Sequence, residues 1–432
     1  MSKYKKYQKY KSLSFPFLDE IPSSWMVVPL YALSDFRQGK LHEPYIDEDG
    51  KFICINSRFV STEGKKFKHC NVNLSPVKKS DILMVMSDLP NGRALAKALF
   101  VEGENNYALN QRVCAITPTK VYPRFLYYQL NRNAYFLSFD DGSNQTNLSN
   151  YDFKKYPVLL PSTQEQQTIA NYLDKATVKI DTLIEKQTKL IELLKEKRQA
   201  VISTAVTRGL NSSVPMKDSG VEWLGEIPEH WEVKPAQFIA KITRGAILRP
   251  VDAPEYFEDD GEWAYLNISD ATKCDKYLSD SKLKLSQLGS TKSARVYPDN
   301  VIITASATIG KAFINKIKVC VHDGFIPFTE IKVYKDYLYH YLSNPFLYAA
   351  MGKSNTQKNI YLDEVKRMIV TVPPRKEQIE IVTYLEYKSL QMNNLINKAT
   401  KAVELLIERR TALISAVVTG KIDIRDENGE AT

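Results

Sequence analysis

PSTQEQQTIANYLDKATVKIDTLIEKQTKLIELLKEKRQAVISTAVT (Pro161–Thr207) is followed much later by PPRKEQIEIVTYLEYKSLQMNNLINKATKAVELLIERRTALISAVVT (Pro373–Thr419). The two stretches align at a constant offset of 212 residues, without a gap, over 47 pairs. Glu165/Glu377, Gln166/Gln378, Arg198/Arg410 and Ser203/Ser415 are among the many identities. A gapless match of this length in mixed composition is an internal duplication.

Both copies carry helical periodicity with heptad spacing. In the first, steps of four and three run through Ile169, Leu173, Ala176, Ile180, Leu183, Gln187, Leu190, Leu194, Lys197 and Val201. In the second they run through Ile381, Leu385, Lys388, Met392, Leu395, Ala399, Ala402, Leu406, Arg409 and Leu413. A second apolar row (Tyr172, Ile184, Ile191, Ala205; Tyr384, Ile396, Val403, Val417) makes the stripe wider than a two-stranded coil needs. That row serves either the helix's own domain or a partner helix. Each helix starts behind proline, Pro161 or Pro373–Pro374, where helix starts tolerate it. Two such helices, each preceded by a globular region, pair most simply as an antiparallel coiled coil with a pseudo-twofold relation. From Ile169 to Val201 the seam would span about 48 Å, enough to hold two domains roughly one DNA turn apart.

A shorter repeat precedes each helix. LDEIPSSWMV, from Leu18, matches LGEIPEHWEV, from Leu224, so that Trp25 answers Trp231 and Gly39 answers Gly245. Between this motif and the helix lie poorly matching residues, apart from SDILMVMS (from Ser80) against DNVIITAS (from Asp299). Strands are expected at FICINSRFV (Phe52), ILMVMS (Ile82), RVCAIT (Arg112) and YPVLLP (Tyr156). In the second region they are expected at EWAYLNIS (Glu262), VIITAS (Val301), KVCVH (Lys318) and IPFTEIKV (Ile326). Short helices are expected at YPRFLYYQLNR (Tyr122) and KDYLYHYLSNPFLYAA (Lys335). The fold class is therefore α+β, with two globular domains and two long helices.

The boundaries read as a first domain over 1–160 with a basic, solvated arm at 1–14, and a first helix over 161–210. A second domain over 211–372, a second helix over 373–422 and an acidic tail over 423–432 follow.

A net charge of +9 and a pI near 9.0 favour a polyanionic partner. Arginine, asparagine and glutamine can pair with base edges, and lysine positions a protein on phosphates. Candidate DNA contacts are Lys40, Arg58, Lys65, Lys66, Lys68, Arg93, Asn144 and Gln145 in the first domain. In the second they are Arg244, Arg249, Lys273, Arg295, Lys311, Asn355, Gln357 and Lys358. The five cysteines are scattered without a CxxC pair, and the five histidines lack metal-ligand spacing. Asp299 with Glu330 and Lys332 imitates a nuclease pattern at too long and generic a spacing, and no GxxxxGK[ST] loop exists. Asn344-Pro345-Phe346 reads as a helix break. No apolar run reaches membrane-spanning length, and the lysine-rich start lacks the apolar core of a signal peptide. A cytoplasmic, non-catalytic chain is expected.

SGVEWLGEIPEHWEV and FLDEIPSSWMV, with the helix openings PSTQEQQTIANYLD and PPRKEQIEIVTYLE, resemble the specificity subunit of type I restriction–modification systems over essentially the whole chain. The resemblance implies that each variable region reads one half of a bipartite site in double-stranded DNA. It implies that the coil sets the spacer and docks two modification (methyltransferase) subunits. On this sequence that role falls on Ile169, Leu173, Ile180, Leu183, Leu190, Leu194, Val201, Ile381, Leu385, Met392, Leu395, Leu406 and Leu413. No cofactor is expected on this chain; S-adenosylmethionine, ATP and Mg2+ chemistry would belong to the modification and restriction (translocase/nuclease) subunits. The competing readings are a specificity module inside a self-sufficient restriction or methylation enzyme, and a coiled-coil scaffold without base preference.

Overall fold

The computed structural model describes residues 5–15, 18–88, 94–103, 106–140, 146–250, 253–348 and 359–425. Two unbroken helices, Thr163–Arg208 and Arg375–Val418, lie where the duplicated stretches predict them. The chain divides into two compact units, 1–187 with 401–432, and 188–400. Each helix therefore contributes its opening to one unit and its remainder to the other. The α+β class read from the sequence is the class observed.

In the first unit the strand Ile82–Val85 lies inside an antiparallel four-stranded sheet between Val113–Pro118 and Ala98–Phe100, with Ser34–Gln38 at the edge. All four of its residues are buried, and alternation divides them between two cores. Ile82 and Met84 join the core that holds Phe125, Leu126 and the long-helix residues Ile169 and Leu173. Leu83 and Val85 join a smaller one with Ile55, Phe59 and Val60. A second sheet pairs Phe52–Ile55 in parallel with Tyr107–Leu109 and antiparallel with Lys68–Cys70.

The second unit repeats this plan in a sequence that hardly matches. Val301–Thr304 pairs with Phe325–Thr329 and Ala312–Asn315, and Lys241–Ile242 borders Phe325–Thr329. Val301 and Ile303 face the helical core while Ile302 faces the smaller one. Trp263–Leu266 again pairs in parallel with Val319–Val321 and antiparallel with Lys284–Leu285. Short extra strands, Tyr277–Leu278 and Ala294–Val296, extend the two sheets.

Several expectations are corrected. FICINSRFV is a strand only to Ile55: Asn56 Oδ1 accepts from Phe59 N at 2.9 Å and starts a helix over Ser57–Ser61. EWAYLNIS likewise stops at Leu266, where Asn267 caps a helix over Ile268–Lys273. Of the arm expected over 1–14, the described residues from Lys5 on are held by the fold, since Tyr10–Phe15 pairs with Leu18–Pro22 and Tyr7 is buried, while Lys5, Lys6, Lys9 and Lys11 are exposed. Of the acidic tail expected over 423–432 only 423–425 is described, and there Ile424 is fully buried and Asp423 pairs with Arg425 at 2.6 Å. The helix over Lys335–Leu342 ends before Asn344, and a 3-10 turn over Pro345–Tyr348 follows.

On that helix His340 is buried, and neither ring nitrogen has a hydrogen-bond partner among the described residues. Burial, aided by the positive charge of Lys276 and opposed by Asp336, pushes its pKa down to about 3. The unfolded chain then takes up the proton first as pH falls below the ordinary histidine value near 6.5. Stability from this group is full above pH 6.5 and is lost downward toward about 3, at ~1.4 kcal/mol per pH unit. Urea unfolding of His340→Leu is expected to show a flatter dependence between pH 6.5 and 4 than the parent chain; parallel curves would refute this.

Candidate nucleic-acid interface

The frame that presents the interface is built by the two repeated motifs acting together. In the first unit Trp25 Nε1 donates to Glu165 Oε1 at 3.1 Å, and the Tyr7 hydroxyl donates to the same oxygen at 2.7 Å. Burial and that carboxylate push the Tyr7 pKa well above the usual phenol range. The Trp25 ring lies against Gly420, whose φ of +71° closes the second helix in the left-handed region. In the second unit Trp231 Nε1 donates to Glu377 Oε2 at 2.5 Å and packs on Gly209, φ +75°, which closes the first helix. One tryptophan in each unit thus joins the start of one long helix to the end of the other.

The neighbouring glutamines repeat in the same way. Gln166 accepts from Tyr122 N at 2.8 Å and donates to Pro161 O at 2.9 Å; Gln378 accepts from Tyr334 N at 2.7 Å and donates to Pro373 O at 2.8 Å. Further along, Arg410 grips Asp181 through 2.8 and 3.2 Å contacts, and Arg198 donates to Asn393 at 2.8 Å. In the first unit residues 165 and 181 follow one helix while their partners, near 420 and at 410, run backwards along the other. The second unit does the same from 377 and 393 to 209 and 198. Within each unit the two helices are antiparallel.

The buried row is not the one that strict heptads predict. Ile169, Leu173, Ile180 and Leu413 are buried in the first unit, and Ile381, Leu385 and Met392 in the second, with Leu194, Val201 and Leu406 half-buried. Leu183, Leu190 and Leu395 are exposed. After Ile180 the row steps by four to Ile184, and after Met392 by four to Ile396, so two steps of four occur together. That is a stutter, and it turns the heptad leucines outward in both helices at the same place.

Gly39 and Gly245 show why the first motif carries an invariant spacing to a glycine. A Cβ on Gly39 would lie 2.1 Å from Asn110 O, and one on Gly245 1.9 Å from His322 O. The backbone there passes directly over the end of a strand, which leaves no room for a side chain.

Of the sixteen candidate DNA contacts, Arg58, Lys65, Lys66 and Lys68 are brought together. With Asn56 and Phe67 they line one shallow concavity of the first unit, and all four are exposed. None of them is ion-paired among the described residues. Lys40 is exposed beside Gly39, outside that concavity. In the second unit Arg249 and Lys273 are exposed, and Arg244 is exposed with its Nε donating to Asp323 O at 3.1 Å. Arg295 and Lys311 are held by the fold instead of facing outward. The Arg295 guanidinium lies 5.0 Å over the Trp263 ring and donates to Ser290, and the Lys311 ammonium donates to Asp275 O at 2.9 Å. Arg93, Asn144, Gln145, Asn355, Gln357 and Lys358 lie outside the described residues. Asn56 and Phe67 were not singled out in sequence, since a lone asparagine and a lone aromatic give no spacing signal.

The residues that imitate a nuclease have other partners. Asp299 accepts from Lys316 at 2.7 Å and Lys335 at 2.8 Å, and these two ammonium groups hold its pKa at about 2. Glu330 pairs with Lys241 at 2.9 Å. Among the described residues no group of three or more His, Cys, Asp or Glu is arranged to hold a metal ion, and no helix is long and apolar enough to cross a membrane.

The sequence matches the model of the type I restriction modification DNA specificity domain twice, over residues 22–193 and 228–405. It is 21% identical to the type I restriction enzyme MjaVIII specificity subunit of Methanocaldococcus jannaschii, over 98% of this chain and 99% of that protein. It is 23% identical to the type I restriction enzyme EcoBI specificity subunit of Escherichia coli, over 70% and 68% respectively. A chain solved in work on complex assembly and conformational transition of the type I R-M system shares the fold. There the TM-score is 0.66 at 16% identity, over 93% of this chain and 99% of that one.

Gln378→Ala would leave the buried Tyr334 N–H and Pro373 carbonyl without their partner. The expected cost is about 1–3 kcal/mol in equilibrium unfolding, and Gln166→Ala should match it within error. A loss confined to one of the two variants would contradict the equivalence of the two frames.

Proposed function

The chain belongs to the family of the type I restriction modification DNA specificity domain, and from that premise we propose that it reads DNA for a type I restriction–modification complex. Each unit reads one half of a two-part site. The observation that carries this reading is the contrast between frame and surface. Trp25–Glu165–Gly420 and Trp231–Glu377–Gly209 repeat the same lock, while the first unit lines a concavity with Arg58, Lys65, Lys66 and Lys68 and the segment leading into the equivalent strand of the second unit carries Lys282, Leu283 and Lys284. Equal frames carrying unlike surfaces suit a reader of two unlike half-sites.

The paired helices set the spacer between half-sites. Leu183, Leu190 and Leu395, turned outward by the stutter, offer apolar surface to two modification subunits. Methyl transfer from S-adenosylmethionine, ATP hydrolysis and Mg2+-dependent cleavage belong to the modification and restriction subunits, and the assembly works in the cytoplasm. This chain's own residues contribute position and base preference. Lysines and arginines anchor phosphates with a salt-dependent free energy, and polar loops read base edges.

Four measurements test the reading. The purified chain incubated with duplex DNA, Mg2+ and S-adenosylmethionine is expected to be inert, and methylation or cleavage by the chain alone would overturn the division of labour. Selection from random duplexes by the chain with its modification subunits should return a split motif, whereas a scaffold would return none. Exchange of residues 40–145 for the equivalent region of another family member should change one half-site only. Insertion of seven residues into either long helix should lengthen the spacer or abolish assembly, with the half-sites constant; altered half-sites would exclude a spacing role.

A further inference from the structure

Phe67 lines the cationic concavity together with Arg58, Lys65, Lys66 and Lys68, and is 50% exposed on a loop that is held firmly. The loop is fixed from several sides. Thr62 Oγ1 donates to Arg58 O at 2.7 Å and accepts from Lys66 N at 3.1 Å. Lys97 Nζ donates to Ser61 O at 2.9 Å and pairs with Glu63 at 3.1 Å. Glu63 and Gly64 turn the chain through positive φ of 52° and 79°. His69 meets the Phe67 ring edge-on at 5.2 Å. An apolar ring is thereby presented to solvent between Lys66 and Lys68, with Arg58 and Lys65 lining the same hollow.

Cations around one exposed ring suit a ligand that is anionic at its margin and aromatic inside. Duplex DNA has that composition: phosphates outside, stacked bases within. Proteins that open a base step do so with apolar wedges flanked by phosphate-binding cations. We infer that Phe67 enters a base step of the half-site read by the first unit, while Arg58, Lys65, Lys66 and Lys68 hold the flanking phosphates. This rests on the recognition reading above. The second unit offers a smaller counterpart, because Leu283, 40% exposed, sits between Lys282 and Lys284 on the approach to the strand that borders Trp263–Leu266.

The test uses the full chain assembled with its modification subunits and the duplex that the parent assembly selects. 2-Aminopurine is placed in turn at each adenine of the half-site that follows residues 40–145 in the exchange. The parent assembly should raise its fluorescence at one step. Phe67→Ala should abolish that signal and weaken binding about 10- to 100-fold, with the slope of log affinity against log salt unchanged. Phe67→Trp should retain both. Lys66→Gln and Lys68→Gln should each instead reduce the slope by about one. Unchanged affinity and fluorescence in Phe67→Ala would overturn the wedge while leaving recognition intact. So would a loss confined to capture of the modification subunits, which would make this surface a protein interface. A parent assembly that selects no motif would sink the recognition reading itself.

Discussion

Each unit depends on one buried contact, an indole N–H donating to a carboxylate at the first turn of a long helix. Trp25 on Glu165 and Trp231 on Glu377 are both fully or nearly fully buried rings. Removing such a ring from a core costs about 3–5 kcal/mol, so the contact is held by apolar burial and aimed by the hydrogen bond. Because each ring also lies on the glycine that closes the other helix, it links two helix ends more than 160 residues apart in the chain. The Ile-Pro-x-x-Trp motif, the Glu-Gln pair and the closing glycine are therefore parts of one device, although nothing in their sequence positions connects them.

Where the two units differ, geometry is kept and chemistry changes. In the first, Arg124 on the short helix donates to Asp174 on the long helix at 2.8 Å, and Tyr128 donates to the same oxygen at 2.6 Å. In the second, Asp336 stands at the position of Arg124 and His340 at that of Tyr128. The cation arrives from elsewhere: Lys276 reaches Asp336 and Glu386, each at 2.5 Å. Burial opposes its charge, yet the two carboxylates outweigh this and raise its pKa. The clamp between domain and helix survives with its polarity reversed on the short helix, and His340 is left in a place built for a tyrosine.

The duplication, the helix limits and the α+β class were legible because they rest on long periodic stretches and on identities at one offset. The common sheet topology was not. Strands such as Ile82–Val85 and Val301–Thr304 are buried on both faces, so any β-branched or aliphatic residue serves and no identity is needed. The capped helices after Asn56 and Asn267 were hidden inside apolar runs that a period-two reading absorbs. Tyr7 looked solvated among lysines because its partner, Glu165, lies 158 residues away. Of the candidate contacts, the cluster of Arg58, Lys65, Lys66 and Lys68 was legible as a group because its members are close in sequence. Arg295 and Lys311 carry the same charge but turn it to Ser290 and to Trp263 and Asp275, which lie far from them in the chain.

The stutter shows how one helix meets two demands. Its opening turns bury Ile169, Ala170, Tyr172, Leu173, Ala176 and Thr177, a face wide enough to be covered by a globular domain as well as a helix. Beyond Ile180 the covered face narrows to a single row through Ile184, Ile191 and Leu194. A strict heptad would have kept Leu183 and Leu190 on that row, but a straight helix of 3.6 residues per turn drifts from a 3.5 repeat by about 20° per heptad. Two steps of four absorb the drift at once, at matching positions in both helices. Leu183 and its equivalent Leu395 are thereby left outside the covered row, at the same point of both helices.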